Sequence, residues 1–149
     1  MMHTQPHERF SAVLALEPDA ASAFARAAGD PNPLHHDPDF AATTRFGRML
    51  ASGPQTTAHL MALTASHFSA RGAMLGLEFW FRFCRPIYAD ETITLEWLVV
   101  AVNENPRLNG EVIDLRGRIR KATGETAVGA KGRVLVTENL QTLQRKETA

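Results

Sequence analysis

The run Ala28-Gly29-Asp30-Pro31-Asn32-Pro33-Leu34-His35-His36-Asp37 holds the side chains best suited to chemistry in this chain. A carboxylate, Asp30, and an imidazole, His35, stand five residues apart in a segment with two prolines. Proline fixes its own φ and restricts the residue before it, so such a loop has few conformations. A stiff loop can keep a general acid and a general base in a set geometry, on which proton transfer depends. Asn32, between the prolines, reads as a loop brace bonding the backbone or Asp30, and as a candidate substrate contact. Further on, Ala51-Ser52-Gly53-Pro54-Gln55 reads as a helix start. The first N–H groups of a helix lack intrahelical acceptors and lie at its positive end. The Gly53 N–H is therefore a candidate donor to a developing anion. Glycine also lets a ligand come close to the backbone.

Other polar residues have plainer readings. Ser52 fits a helix cap better than a nucleophile, because no partner base is indicated for it. With Thr56 and Thr57, one turn on, it is a candidate for lining a substrate pocket. His35-His36-Asp37 does not read as a metal site, since adjacent residues rarely converge on one ion. His36 is expected to face solvent, and His59 and His67 to pack on a buried helix. Arg116, Arg118, Arg120 and Arg133 form an expected solvated stripe. Gly129-Ala130-Lys131-Gly132 lacks the spacing of a phosphate loop.

The elements that must position these groups follow from periodicity. Phe10 to Leu16 reads as a first strand, and Glu17-Pro18-Asp19 opens a helix with Asp19 as N-cap. Ala-rich Ala20 to Ala28 continues it, and Gly29 sits where a helix-ending glycine would. Asp37-Pro38 starts a short helix to about Thr44. Ser52 to Phe68 is the longest helical segment, with Ser52 and Gln55 spaced as a capping box. Leu60, Leu63, Thr64 and His67 share one face of it, and its few charges predict burial on most sides.

From Met74 the period changes to two. Leu75, Leu77, Phe79, Phe81 and Phe83 alternate with Glu78, Trp80 and Arg82, and three similar segments follow to Val136. Arg85-Pro86 to Asp90, Asn109-Gly110 and Thr123-Gly124 supply turns, predicting a four-stranded antiparallel meander. A long apolar helix before such a sheet must pack on its apolar face. The expected architecture is α+β, a curved antiparallel sheet wrapped around a central helix, the hot-dog arrangement.

Composition narrows the function. The 149 residues suffice for one domain over 1–149. Lys+Arg and Asp+Glu are 16 each, which argues against nucleic acid as partner and against a polybasic membrane anchor. Cys84 is alone, so neither an intrachain disulfide nor a multi-cysteine metal site can form, and a reducing compartment fits. The apolar run Phe10 to Leu16 is too short for a signal-peptide core or a membrane span, so the expected location is the cytoplasm.

The motif from Phe24 to Asp37, with its Asp-x-Asn-Pro-x-His core, resembles the MaoC-like dehydratases, in particular the (R)-specific enoyl-CoA hydratases. Phe40 to Gly47 and Phe81 to Glu91 extend the match. Ser52-Gly53 stands where the family often has His-Gly, and Pro54 where it often has a large apolar residue. The resemblance implies reversible addition of water across a 2-enoyl-CoA thioester to give a 3-hydroxyacyl-CoA. Asp30 would take the water proton, His35 would orient the water and share the acid/base work, and the Gly53 N–H would receive the oxyanion. Either Asp30 or His35 could protonate the α-carbon. No metal or redox cofactor is implied, since coenzyme A arrives as part of the acyl-CoA substrate. A homodimer with the acyl pocket near its interface is implied too, with Glu78, Trp80 and Arg82 on the outward side of a strand that could form it. Two other readings share the fold: an acyl-CoA thioesterase, and a non-catalytic acyl-binding subunit. The Asp30/His35 pair favours hydration over both.

Overall fold

A computed structural model describes residues 3–138. The elements run β1 (Arg9–Ala15), α1 (Pro18–Ala28), a 3-10 turn (Pro33–His35), α2 (Pro38–Thr43), α3 (Gly53–Phe68), β2 (Ala73–Phe83), β3 (Thr92–Asn105), β4 (Gly110–Arg120) and β5 (Thr126–Thr137). The five strands form one antiparallel sheet in the order β1-β3-β4-β5-β2. Its curved inner face wraps α3, which gives the hot-dog fold. Leu60 and Phe68 of α3 pack into a core with Ile93, Leu95, Trp97 and Val99 of β3, Ile113, Leu115 and Ile119 of β4, and Val128, Val134 and Val136 of β5. None of the described helices is long and apolar enough to cross a membrane.

One residue ties helix and sheet together. The Trp97 indole N–H donates to the Leu60 carbonyl at 2.8 Å, satisfying the one polar atom of a buried ring. Gly117, paired with Trp97 on β4, leaves room for that ring: a Cβ there would lie 2.4 Å from it.

The meander holds only for β3, β4 and β5. β2 pairs with β5, so the connection from β2 to β3 crosses the sheet instead of turning back. Its backbone bonds elsewhere: Cys84 N–H and Arg85 N–H both donate to the Ala127 carbonyl, Ala51 N–H donates to Ile87, and Ala89 N–H donates to Met49. The residues after β2 are thereby fastened to β5 and to the segment before α3, so no hairpin can close there.

Bulges correct the strand phases. Gly76 pairs with Val134 and Glu78 with Arg133, so Leu77 is the extra residue and is exposed, and Leu75 beyond it also points outward. Met74 takes the inward position instead. A second shift between Val99 and Ala101 exposes Val100 and turns Val102 inward. α1 begins two residues earlier than expected. Glu17 is its N-cap, with no side-chain bond, while Asp19 lies in the first turn, because Pro18 takes the position where a missing N–H costs nothing. α3 is buried on one side only, since Met61, Ala62, Ala65 and Ser66 are exposed.

Candidate active site

The site is built outward from the end of α1. Gly29 adopts a left-handed conformation with φ 78°. Its N–H reaches the Arg26 carbonyl at 3.1 Å, and the Asp30 N–H reaches the Ala25 carbonyl at 2.8 Å. This double bond pattern is the Schellman ending, which makes Asp30 the first residue outside the helix yet still fixed to it. Asp30 Oδ1 accepts the Asn32 N–H at 2.9 Å, and Asn32 Oδ1 accepts the Leu34 N–H at 3.1 Å. Asn32 therefore braces the loop, capping the 3-10 turn that carries His35 inward.

His35 is buried, and its Nδ1 lies 2.8 Å from the Leu50 carbonyl. A carbonyl only accepts, so Nδ1 carries the hydrogen, and in the neutral ring the lone pair is at Nε2. That nitrogen faces Asp30 Oδ2 at 3.5 Å. The gap exceeds a direct hydrogen bond and presents two acceptors toward one place. A water donating one hydrogen to each fits such an arrangement. The Leu50 N–H in turn donates to the Leu34 carbonyl at 3.0 Å, so the strand of chain leading to α3 is stitched to the Asp30–His35 loop at both polar atoms of Leu50.

Three residues after Leu50, Gly53 opens α3. Ser52 caps it, its Oγ accepting the Gln55 N–H at 3.2 Å. Only that half of the expected capping box forms; the buried Gln55 Oε1 has no partner among the described residues. The hydroxyls of Thr56 and Thr57 donate to the Gly53 carbonyl at 3.1 Å and 3.0 Å. They thus brace the first turn of the helix. Gly53 and Thr56 line a cavity of about 300 Å³, with Ala51, Phe46, Phe83 and Ile87 among its other walls. A Cβ on Gly53 would lie 2.9 Å from the exposed Phe83 ring, which would have to move to admit a side chain.

The structure corrects the reading of His36. It does not face solvent: Nδ1 lies 2.8 Å from Ser22 Oγ on α1 and Nε2 lies 2.8 Å from the Asp30 carbonyl. Consecutive residues in a tight turn point in different directions, which sends one imidazole to the carboxylate of Asp30 and the next to its carbonyl. His59 and His67 sit on α3. Burial lowers the pKa of His59. His67 stacks flat on Phe10, ring centres 3.8 Å apart. The arginine stripe is largely paired: Arg118 and Arg120 hold Glu96 at 2.6 Å each, and Arg133 bridges Asp114 and Glu78. Burial pushes Glu96 upward, but the hydrogen bonds from Arg120 and Arg118 outweigh it and leave the carboxyl below its ordinary range.

Residues 3–115 match the family model of the MaoC like domain, and the chain belongs to that family. It is similar to an (R)-specific enoyl-CoA hydratase of Aeromonas caviae, 34% identical over 85 residues, which are 56% of this chain and 62% of that protein. It is also similar to a UPF0336 protein of Streptomyces avermitilis, 27% identical over 115 residues, or 72% of this chain and 74% of that one. Among solved structures, an (R)-hydratase from A. caviae involved in PHA biosynthesis superposes with a TM-score of 0.81 at 25% identity, over 93% of this chain and 100% of that one. The resemblance drawn from the Asp30–His35 motif and the expected hot-dog fold both hold.

Proposed function

We propose that this protein is a hydro-lyase that reversibly adds water to 2-enoyl-CoA thioesters, giving 3-hydroxyacyl-CoA. The observation that carries this reading is the 3.5 Å approach of Asp30 Oδ2 and His35 Nε2, near enough for one water beside them to hydrogen-bond to both. A water there gives one O–H to Asp30 and the other to His35, which leaves an oxygen lone pair for the β-carbon. As the C–O bond forms, the π electrons move through the α-carbon onto the thioester oxygen. The Gly53 N–H receives that charge; one preorganised donor of this kind is worth about 3 kcal/mol in the transition state. The proton taken from water then passes from the pair to the α-carbon, so hydrogen and hydroxyl of one water end on adjacent carbons. Hydration changes no net oxidation state, and coenzyme A is the handle of the substrate.

The reading includes a homodimer. β2 is an edge strand, and Leu75, Leu77, Trp80 and Phe83 are exposed along it. A long edge strand with apolar side chains invites pairing with a second copy.

Crotonyl-CoA tests the function. The expected result is loss of the enoyl-thioester absorbance with no free thiol released. Thiol release would make the protein a thioesterase, and neither change would make it a binding subunit.

A further inference from the structure

Asp30 has four polar atoms, and three of them are tied down. Its N–H is bonded to Ala25 at the end of α1, its Oδ1 accepts from Asn32, and its carbonyl oxygen lies 2.8 Å from His36 Nε2. Only Oδ2 is left for chemistry. We propose that His36 is a positioning residue for this carboxylate, a role that rests on the hydratase reading for its effect on rate.

The bonds to His36 have a defined polarity. The Asp30 carbonyl can only accept, so His36 Nε2 carries the hydrogen. Nδ1 of the neutral ring then accepts from the Ser22 hydroxyl at 2.8 Å. Ser22 is on α1, and the Arg26 guanidinium one turn later donates to the same Oγ at 3.2 Å. The chain Ser22–His36–Asp30 therefore straps the peptide after Asp30 back onto the helix that precedes it. The Schellman bond fixes the peptide before Asp30 and the His36 strap fixes the one after. Rotation about the Asp30 backbone, which would swing Oδ2 away from His35, is blocked at both ends. The two adjacent histidines thus carry opposite tautomers for different tasks. His35 keeps its hydrogen on Nδ1 and offers Nε2 to the water, whereas His36 keeps its hydrogen on Nε2 and spends it on the backbone.

The test compares His36→Leu with His36→Gln. Leucine removes both bonds, while a glutamine amide has one donor for the Asp30 carbonyl and one acceptor for Ser22. With crotonyl-CoA, His36→Leu is expected to lower kcat about tenfold with KM changed less than about twofold, the signature of a displaced catalytic group and not of lost binding. His36→Gln is expected to recover most of the rate. Crystal structures of the two variants give a readout independent of activity. The Asp30 Oδ2 to His35 Nε2 separation should widen or split in the leucine variant and stay near 3.5 Å in the glutamine variant. Wild-type kcat and unchanged geometry in His36→Leu would overturn the proposal, as would equal losses in both variants. Should the leucine variant not fold, Ser22→Ala decides, with an expected twofold to threefold fall in kcat, on the order expected for a partly loosened group; wild-type kcat there contradicts the strap. If the wild-type protein does not hydrate enoyl thioesters, the functional reading fails while the crystallographic comparison still decides the role of His36.

Discussion

Three histidine–carboxylate pairs stand at nearly the same separation among the described residues; one, His3 with Glu111, has an exposed histidine, and the other two make the sharper comparison. His35 Nε2 is 3.5 Å from Asp30 Oδ2, and His67 Nε2 is 3.6 Å from Glu8 Oε2. Burial does not distinguish them strongly: the carboxylate side chains are 33% and 24% exposed. Their other partners do. Arg71 grips both oxygens of Glu8, reaching Oε2 at 2.8 Å, and a further bond from Arg71 holds Thr4. The hydrogen bond from Arg71 holds the Glu8 carboxyl below its ordinary range, against the opposing effect of burial. Asp30 has no Lys or Arg ion pair among the described residues, and its Oδ2 is uncommitted. His67 is pressed flat against Phe10, and its Nε2 has no hydrogen-bond partner among the described residues. His35 is anchored through its far nitrogen and presents the near one. Proximity is shared; availability of the proton acceptors is not.

The largest expected effect therefore separates the two pairs by rate. Asp30→Asn or His35→Ala should lower kcat on crotonyl-CoA about a thousandfold, while Glu8→Gln and His67→Ala stay within about threefold of wild type, because the second pair does not touch reacting atoms. Steady-state kinetics on the four variants decides it. Equal losses from both pairs would dissolve the distinction.

Gly53 sharpens it further. Gly53→Val should lower kcat about a hundredfold by shifting the donor to the oxyanion. Since the Phe83 ring is the first obstacle to a new Cβ, Gly53→Ala combined with Phe83→Ala should turn over faster than Gly53→Ala alone.

Stability should divide the residues differently. Arg71→Leu should cost about 2–3 kcal/mol in denaturant unfolding, because it leaves Glu8 charged and partly buried without its partner. Asp30→Asn should unfold close to wild type, while His35→Ala should lose about 1–3 kcal/mol, because it leaves the buried Leu50 carbonyl without its donor. The pH dependence has a definite sign. Glu8 has a lower pKa folded than unfolded, so its contribution is complete above the unfolded carboxylate value of about 4.3 and disappears as pH falls through the folded value. Melting temperature should drop across that acid range, and Glu8→Gln should flatten that part of the profile.

Ser52→Ala is the smallest effect. Loss of the cap should cost about 1 kcal/mol with kcat little changed. A stable but inactive Ser52→Ala protein would make Ser52 a catalytic group and favour thioester hydrolysis.

Local signals carried much of this into view. Gly29 as helix end, Ser52 as cap and the Asp30/His35 pair are each encoded within a few residues of sequence, where turn and cap chemistry is local. The strap from Ser22 to His36 was hidden because it depends on the direction of one ring in a tight turn, fourteen residues from its partner. Arg71 and Glu8 are 63 residues apart and meet only through the fold. The bulges at Leu77 and Val100 were equally invisible, since an alternating pattern does not reveal where a strand spends an extra residue. The order of strands followed from backbone bonds between segments far apart in the chain, and periodicity has no access to those.

The central claim is that Asp30 and His35 act as one unit on one water. A double-mutant cycle on the hydration rate, with Asp30→Asn, His35→Ala and the pair, tests it most directly. If the two groups share the water, the double variant should be about as slow as either single one, because removing one member already disables the other. Losses that multiply would mean that the two residues act in separate steps, and would contradict the shared-water site.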